Sequence, residues 1–179
     1  MNSENNKNGK INMVFYQPEI PQNTGNIMRT CAATDTVLHL IEPLGFSLGE
    51  KEVKRSGANY VKQTEYYVYK NWEEFMEKNQ GEFFYLSRYG QKCVTDIDCT
   101  DISKNYYFVV GSESTGIAKE ILKDNLDKCI RLPMNDKVMA LNVSNVAAIM
   151  IYEALRQQNY RSLSFYEPEK FKGKDFLLK

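Results

Sequence analysis

The sequence predicts an α/β fold, a mostly parallel sheet with helices on both faces. Three observations predict it. Apolar runs of strand length alternate with stretches of helical period along most of the chain. The run Val37 to Ile41 is continuously apolar, as in parallel strands covered on both sides. From Asn142 onward, apolar residues recur at Val143, Val146, Ala147, Met150, Ile151, Ala154 and Leu155, the three-and-four spacing of a helix face. Ala148, Ile149 and Tyr152 make that helix apolar nearly all round, so it is buried against its own sheet and against a partner surface as well.

The elements follow in order. Ile11 to Tyr16 is a strand, stopped by the two prolines and the glycine of Gln17-Pro-Glu-Ile-Pro-Gln-Asn-Thr-Gly. A helix runs from about Thr24 to Thr34 with Ile27, Met28, Cys31 and Ala32 inward. Asn26 and Arg29 share another face, three residues apart. After the strand Val37 to Ile41, a helix is expected from Leu48 to Ser56. Its Lys51, Lys54 and Arg55 form either a solvated face or a phosphate contact. Thr64 to Tyr69 is a strand and Asn71 to Lys78 a helix with Trp72, Phe75 and Met76 inward. Strands follow at Phe83 to Ser87 and Tyr106 to Val110, then a helix from about Ile117 to Leu126 and a short strand from Ile130 to Leu132. The tail after Tyr160 is charged and aromatic by turns and receives no assignment. The expected organisation is a loose polar tail over residues 1–10, one domain over 11–160, and a tail over 161–179.

Composition narrows the class. At 179 residues the chain is long enough to bury a proper core. Lys plus Arg (23) equals Asp plus Glu (23), so nucleic-acid binding must rest on a local patch rather than a global field. Lys51, Lys54, Arg55, Arg156 and Arg161 are the candidates. The four cysteines show no C-x-x-C spacing and there is a single histidine, so no metal site is expected. The thiols read as reduced and mostly buried, in a cytoplasmic protein. No apolar run approaches a membrane span, and the start lacks a signal-peptide core.

In an open parallel sheet, ligands bind beyond the carboxyl ends of the strands. Three polar or glycine-bearing loops fall there: after Leu86, at Gly111 and after Leu132. Gly111-Ser-Glu-Ser-Thr-Gly116 has the glycine spacing of a phosphate-binding loop, but Ile117-Ala118 stand where Lys-Ser/Thr is required. No G-x-G-x-x-G follows the first strand. His39 lies inside a strand as a satisfied core histidine, which leaves a Ser-His-Asp triad without support. Asn142, Ser144 and Asn145 crowd the start of the last helix. They either cap its free N–H groups or, with Pro133, frame a ligand. What remains is a site of glycines, Asn, Ser, one Glu and one Arg, suited to holding a reactive cofactor.

Asn23-Thr-Gly-Asn-Ile-Met-Arg29, Val110-Gly-Ser-Glu-Ser-Thr-Gly116 and Ile130-Arg-Leu-Pro-Met with Leu141-Asn-Val-Ser-Asn145 resemble the three motifs of the SPOUT RNA 2'-O-methyltransferases. Tyr16-Gln-Pro-Glu-Ile-Pro-Gln-Asn-Thr-Gly, Leu40-Ile-Glu-Pro-Leu-Gly-Phe and Tyr152-Glu-Ala-Leu-Arg-Gln narrow this. They are similar to the small subfamily that methylates the ribose of the tRNA wobble pyrimidine. The resemblance runs from about Ile11 to Tyr160.

It implies a deep C-terminal trefoil knot, an exception to the rule against knotted chains. It also implies S-adenosylmethionine held chiefly through backbone at Leu86, Gly111, Leu132 and Ala140. It gives Arg29, Asn142 and Ser144 to catalysis, and Asn23 and Glu113 to bracing of the loops. The implied partners are a tRNA anticodon loop and a second copy of the chain, paired through the first and last helices with Arg29 near the partner's site. Three positions depart from the pattern: Thr115 and Met139 where basic residues are common, and Ala140 where Ser is usual. They motivate an alternative, a cofactor-binding RNA-interaction protein with impaired catalysis. A further alternative is the same chemistry on ribosomal RNA.

Overall fold

The computed structural model describes residues 8–48 and 62–178. The helix expected over Leu48 to Ser56, with Lys51, Lys54 and Arg55, lies outside these residues but for its first position, as do the first seven of the N-terminal tail. Residues Gly9 and Lys10 are tied down. Gly9 N–H donates to Ile102 O at 2.9 Å, and Lys10 N–H to Asn105 Oδ1 at 2.9 Å.

The strands are β1 (Ile11–Tyr16), β2 (Val37–Ile41), β3 (Tyr66–Tyr69), β4 (Glu82–Leu86), β5 (Lys92–Cys93), β6 (Tyr106–Val110) and β7 (Cys129–Arg131). They form one seven-stranded sheet in the order β3-β2-β1-β6-β4-β7-β5. Every pairing in it is parallel. Six of these strands were expected; β5 was not. It is two residues long and exists by pairing Lys92 with Ile130 and Cys93 with Arg131 on β7.

The helices are α1 (Pro21–Thr34), α2 (Trp72–Lys78), α3 (Lys119–Lys123) and α4 (Val143–Gln157). α1 begins three residues earlier than its apolar period suggests. Pro21 opens it, because the N–H that proline lacks has no partner in a first turn anyway. Asp35, in the left-handed conformation at φ 52°, ends it. The helix expected from Ile117 to Leu126 is only five residues of α-helix, followed by a 3₁₀ turn at Leu126–Lys128. α2 buries Phe75 but leaves Met76 exposed and Trp72 half-buried, so its inward face is narrower than expected.

Successive strand residues point to opposite faces, and two cores result. On one face Met13, Phe15, Leu40 and Phe108 meet Ile27, Met28 and Cys31 of α1 and Met150, Ile151 and Ala154 of α4. On the other, Val14, Tyr85 and Val109 meet Phe75 of α2 and Ile117 before α3. The free thiols of Cys31, Cys99 and Cys129 are buried and that of Cys93 half-buried. Burial pushes the Cys99 thiol up to about 12, far from a reactive thiolate. His39 is a core residue as expected. Its Nδ1 lies 2.9 Å from Tyr69 Oη and its Nε2 3.1 Å from Asn12 Oδ1, and burial lowers its pKa to about 4. Among the described residues no helix is long and apolar enough to cross a membrane.

α4 packs on α1 and against β1 and β6. Its start therefore stands beyond the carboxyl ends of the central strands, where the loops after β1, β4, β6 and β7 converge.

Candidate active site

Those loops enclose a cleft of about 640 Å³. Its deeper wall is apolar, with Val110, Ile117, Ile130 and Val146, and its rim carries Arg88, Tyr89 and Met139. All four positions expected to hold the cofactor, Leu86, Gly111, Leu132 and Ala140, line it. Gly111 is required there by close approach. A Cβ on it would stand 2.0 Å from the carbonyl carbon of Gly116 and 2.1 Å from the nitrogen of Ile117. The loop after β6 folds back on its own first residue, closed by the Gly116 N–H to Ser112 O bond at 3.0 Å.

Asn23, Glu113 and Asn142 also line the cleft. One chain of hydrogen bonds joins them. Asn23 Nδ2 donates to Glu113 Oε1 at 2.9 Å, and Asn142 Nδ2 donates to Asn23 Oδ1 at 3.0 Å. Asn142 Oδ1 accepts from the backbone N–H of Ser144 at 2.8 Å and from its hydroxyl at 2.7 Å. Asn142 is thereby the N-cap of α4. Of the two readings the sequence left open for this turn, capping is present, and the capping residue also lines the cleft; the cap is itself held by the next residue of the relay.

Glu113 has further work. Its Oε2 accepts from the Glu19 N–H at 2.8 Å and its Oε1 from the Ile20 N–H at 3.2 Å. Glu19 answers by accepting from Ser114, backbone N–H at 3.0 Å and hydroxyl at 2.6 Å. Two carboxylates thus cross-link the loop after β1 to the loop after β6, each using charge-assisted bonds to the other's backbone. Glu19, which is not among the cleft-lining residues, is the loop-bracing residue that sequence reasoning passed over. The signal was an acid in a proline-bounded loop at the carboxyl end of a strand.

Arg29 and Ser144 are not among the cleft-lining residues. Ser144 is buried beneath its Asn142 bonds, and Arg29 is exposed on α1, beyond Asn23. Thr115 is taken up within its own loop, its Oγ1 2.7 Å from Ser112 Oγ.

Of the expected basic patch, Lys51, Lys54 and Arg55 lie outside the described residues. Arg156 and Arg161 are engaged within the chain. Arg156 donates twice to Glu153 at 2.9 Å. Arg161 donates to the carbonyls of Ile102 and Gly9 at 2.9 and 2.6 Å, which fastens the C-terminal segment to the N-terminal one.

The model of the SpoU rRNA Methylase family matches residues 10–152. The chain belongs to this family. The matched span holds β1 through most of α4, and so every cleft-lining loop. A Bacillus subtilis (strain 168) protein provisionally named a tRNA (cytidine(34)-2'-O)-methyltransferase is 51% identical over 154 residues, covering 86% of this chain and 96% of that protein. A solved structure described as giving insights into the 2-OH methylation of C/U34 on tRNA is 33% identical with a TM-score of 0.79. The overlap with it covers 86% of this chain and 99% of that one. The SpoU methyltransferase AviRb from Streptomyces viridochromogenes, solved in complex with AdoMet, shares the fold. It is 20% identical with a TM-score of 0.75, over 88% of this chain and 60% of that one.

Proposed function

We propose that this SpoU-family protein is a methyltransferase that moves a methyl group from S-adenosylmethionine to the ribose 2'-hydroxyl of the wobble pyrimidine, nucleotide 34 of tRNA. The observation that carries the reading is the Glu113–Asn23–Asn142–Ser144 relay, which ties the three motif segments together at the mouth of one cleft. The relatives' substrate favours tRNA over ribosomal RNA. The departures at Thr115, Met139 and Ala140 leave this relay untouched.

The cleft fits the cofactor. A volume near 640 Å³ is within the usual range for a small-molecule site, and apolar walls with backbone at Leu86, Gly111 and Leu132 suit an adenine ring and its edge. When bound, S-adenosylmethionine supplies a methyl group on a positively charged sulfur, electrophilic enough that orientation is the enzyme's main contribution. Ala140, which lines the cleft, would meet it through backbone, and the absent Ser hydroxyl would then be no loss. Asn142, with its carbonyl committed to Ser144 and its amide to Asn23, fixes the start of α4 against the cleft. Arg29 positions the ribose hydroxyl and the adjoining phosphate. A guanidinium offers donors and no acceptor, so the proton leaves by way of that phosphate or solvent.

Two features of the assembly belong to this reading. The first is the trefoil knot. It is supported by β7 lying between β4 and β5, although β4 and β5 are joined directly by residues 87–91. That loop lies against β7: Ser87 N–H donates to Ile130 O at 2.9 Å, and a Cβ on Gly90 would stand 2.5 Å from the Ile130 carbonyl carbon. The second is a homodimer through α1 and α4, supported by Ile149 (43% exposed) and Tyr152 (46% exposed) on α4. It would bring the Arg29 of one protomer to the cleft of the other. A tRNA substrate also supports a cytoplasmic location.

The test is incubation of purified protein with labelled S-adenosylmethionine and unmodified bulk tRNA, followed by nucleoside analysis. A 2'-O-methylated pyrimidine at position 34 is the expected product. Tight cofactor binding without transfer to tRNA would overturn the reading.

A further inference from the structure

Arg156 and Arg161 are engaged within the chain, Lys51, Lys54 and Arg55 lie outside the described residues, and among the described residues the rim of the cleft carries an arrangement suited to an RNA contact. Tyr89 follows β4 and is 73% exposed, yet it lines the cleft mouth. An aromatic ring that open is normally free to swing. Here the Arg88 guanidinium stands over the ring at 4.8 Å and donates to its hydroxyl. The backbone beneath is pinned from three sides. Tyr89 N–H donates to Ser87 Oγ at 3.2 Å, Gly90 N–H to Ser87 O at 3.1 Å, and Arg131 Nη1 to the Arg88 carbonyl. The result is a held aromatic plate with one guanidinium on it and another beneath its loop.

We infer that Tyr89 and Arg88 form a stacking platform for an unpaired base of the RNA substrate, beside the nucleotide that receives the methyl group. This rests on the RNA-methyltransferase reading above and adds a base contact to it. The cofactor is not the occupant. Of its four expected positions, Gly111 is buried, Leu86 and Leu132 are half-buried and Ala140 is exposed, whereas Arg88 and Tyr89 are both exposed on the rim. Charge agrees, because S-adenosylmethionine carries a cationic sulfonium and RNA a phosphate at every nucleotide. Bases splayed from a loop are recognised by stacking on aromatic rings and guanidinium planes.

The experiment measures binding of an unmodified anticodon stem-loop carrying 2-aminopurine in the loop, and separately binding of S-adenosylmethionine by calorimetry. Tyr89→Ala should weaken stem-loop binding roughly tenfold, the scale of one base–aromatic stack, and abolish quenching of the 2-aminopurine emission. Tyr89→Phe should keep both, since the ring remains. Arg88→Ala should weaken binding and lower the salt slope by about one. Cofactor affinity should stay within about twofold in all three, because the plate is on the exposed rim and is not one of the positions expected to hold the cofactor. Tyr89→Leu serves as a second ring-less variant should Tyr89→Ala fold poorly. Loss of cofactor affinity with RNA binding intact would assign the plate to the cofactor and overturn the proposal. So would unchanged RNA binding in the ring-less variants, or no stem-loop binding by the wild-type protein. A wild-type protein that binds the stem-loop through Tyr89 yet transfers no methyl group would sink the enzymatic reading and leave the platform standing.

Discussion

The side-chain amides of Asn23 and Asn142, 119 positions apart in the chain, meet with Asn142 Nδ2 donating to Asn23 Oδ1 at 3.0 Å. Neither amide can flip without loss, because Asn23 turns its NH₂ to Glu113 Oε1, and a carboxylate only accepts. One acidic group thus sets the orientation of two amides, and through them the cap of α4. The loop after β1, the loop after β6 and the start of α4 behave as one body.

Removing the acid should therefore be felt at a distance. Glu113→Ala strands the N–H groups of Glu19 and Ile20 and the amide of Asn23. These groups are partly solvated, so the expected cost is about 2 kcal/mol rather than three full charged bonds. Urea unfolding checks this. S-adenosylmethionine binding should weaken as well, since Asn142 is no longer oriented. Glu19→Ala should cost less, because its acceptors serve Ser114 alone. Equal stability of Glu113→Ala and wild type would show that the relay stores no energy.

Gly111→Ala should be worse. The added methyl meets backbone rather than a movable side chain, at 2.0 Å from Gly116 and 2.1 Å from Ile117. Relief requires the whole loop to shift, and overpacking of this kind costs about 1–3 kcal/mol. Calorimetric titration should show cofactor binding lost while the far-ultraviolet circular dichroism spectrum is kept. Retained cofactor affinity would mean that the loop yields more easily than its hydrogen bonds suggest.

Much of this geometry was legible in the sequence. The apolar runs at Val37–Ile41 and Tyr106–Val110, the glycine at 111 and the apolar spacing after Asn142 each carry a local physical cause, so each could be read locally. What escaped is what tertiary pairing creates. Lys92–Cys93 has no strand pattern and becomes β5 only because Ile130 and Arg131 offer an edge. Glu19 looks like any loop acid until β6 brings Ser114 to it. Arg156 and Arg161 looked like free cations because their acceptors, a carboxylate one turn away and two distant carbonyls, leave no mark in composition.

Acid should destabilise the fold through His39. Its pKa is about 4 in the folded protein, lowered by burial, against an ordinary value of 6.5. Between those values the unfolded chain binds a proton that the folded one does not. Stability therefore rises with pH across the window, and is progressively lost as pH falls from about 6.5 to about 4. Full development of the gap corresponds to about 3 kcal/mol. His39→Gln should flatten the difference between urea midpoints at pH 7 and pH 4.5 relative to wild type. An unchanged difference would locate the acid sensitivity in carboxylates instead.

The last prediction asks whose arginine serves the cleft. Arg29 is exposed on α1 and lies outside the cleft lining, while Asn142 lies within it. Arg29→Ala should lower methyl transfer by about two orders of magnitude with cofactor affinity kept, since it removes positioning alone. Asn142→Ala should impair the cleft that carries it. In a symmetric dimer with Arg29 acting across the interface, unfolding and refolding the two variants together restores one good cleft in each mixed dimer. It pairs an intact Asn142 from one protomer with an intact Arg29 from the other. Random mixing makes half of the dimers mixed, so about one quarter of wild-type activity should return. If Arg29 serves its own protomer's cleft, every cleft in the mixture carries a defect and nothing returns. A monomeric protein in sedimentation would give the same silence and would also remove α1 and α4 as an interface.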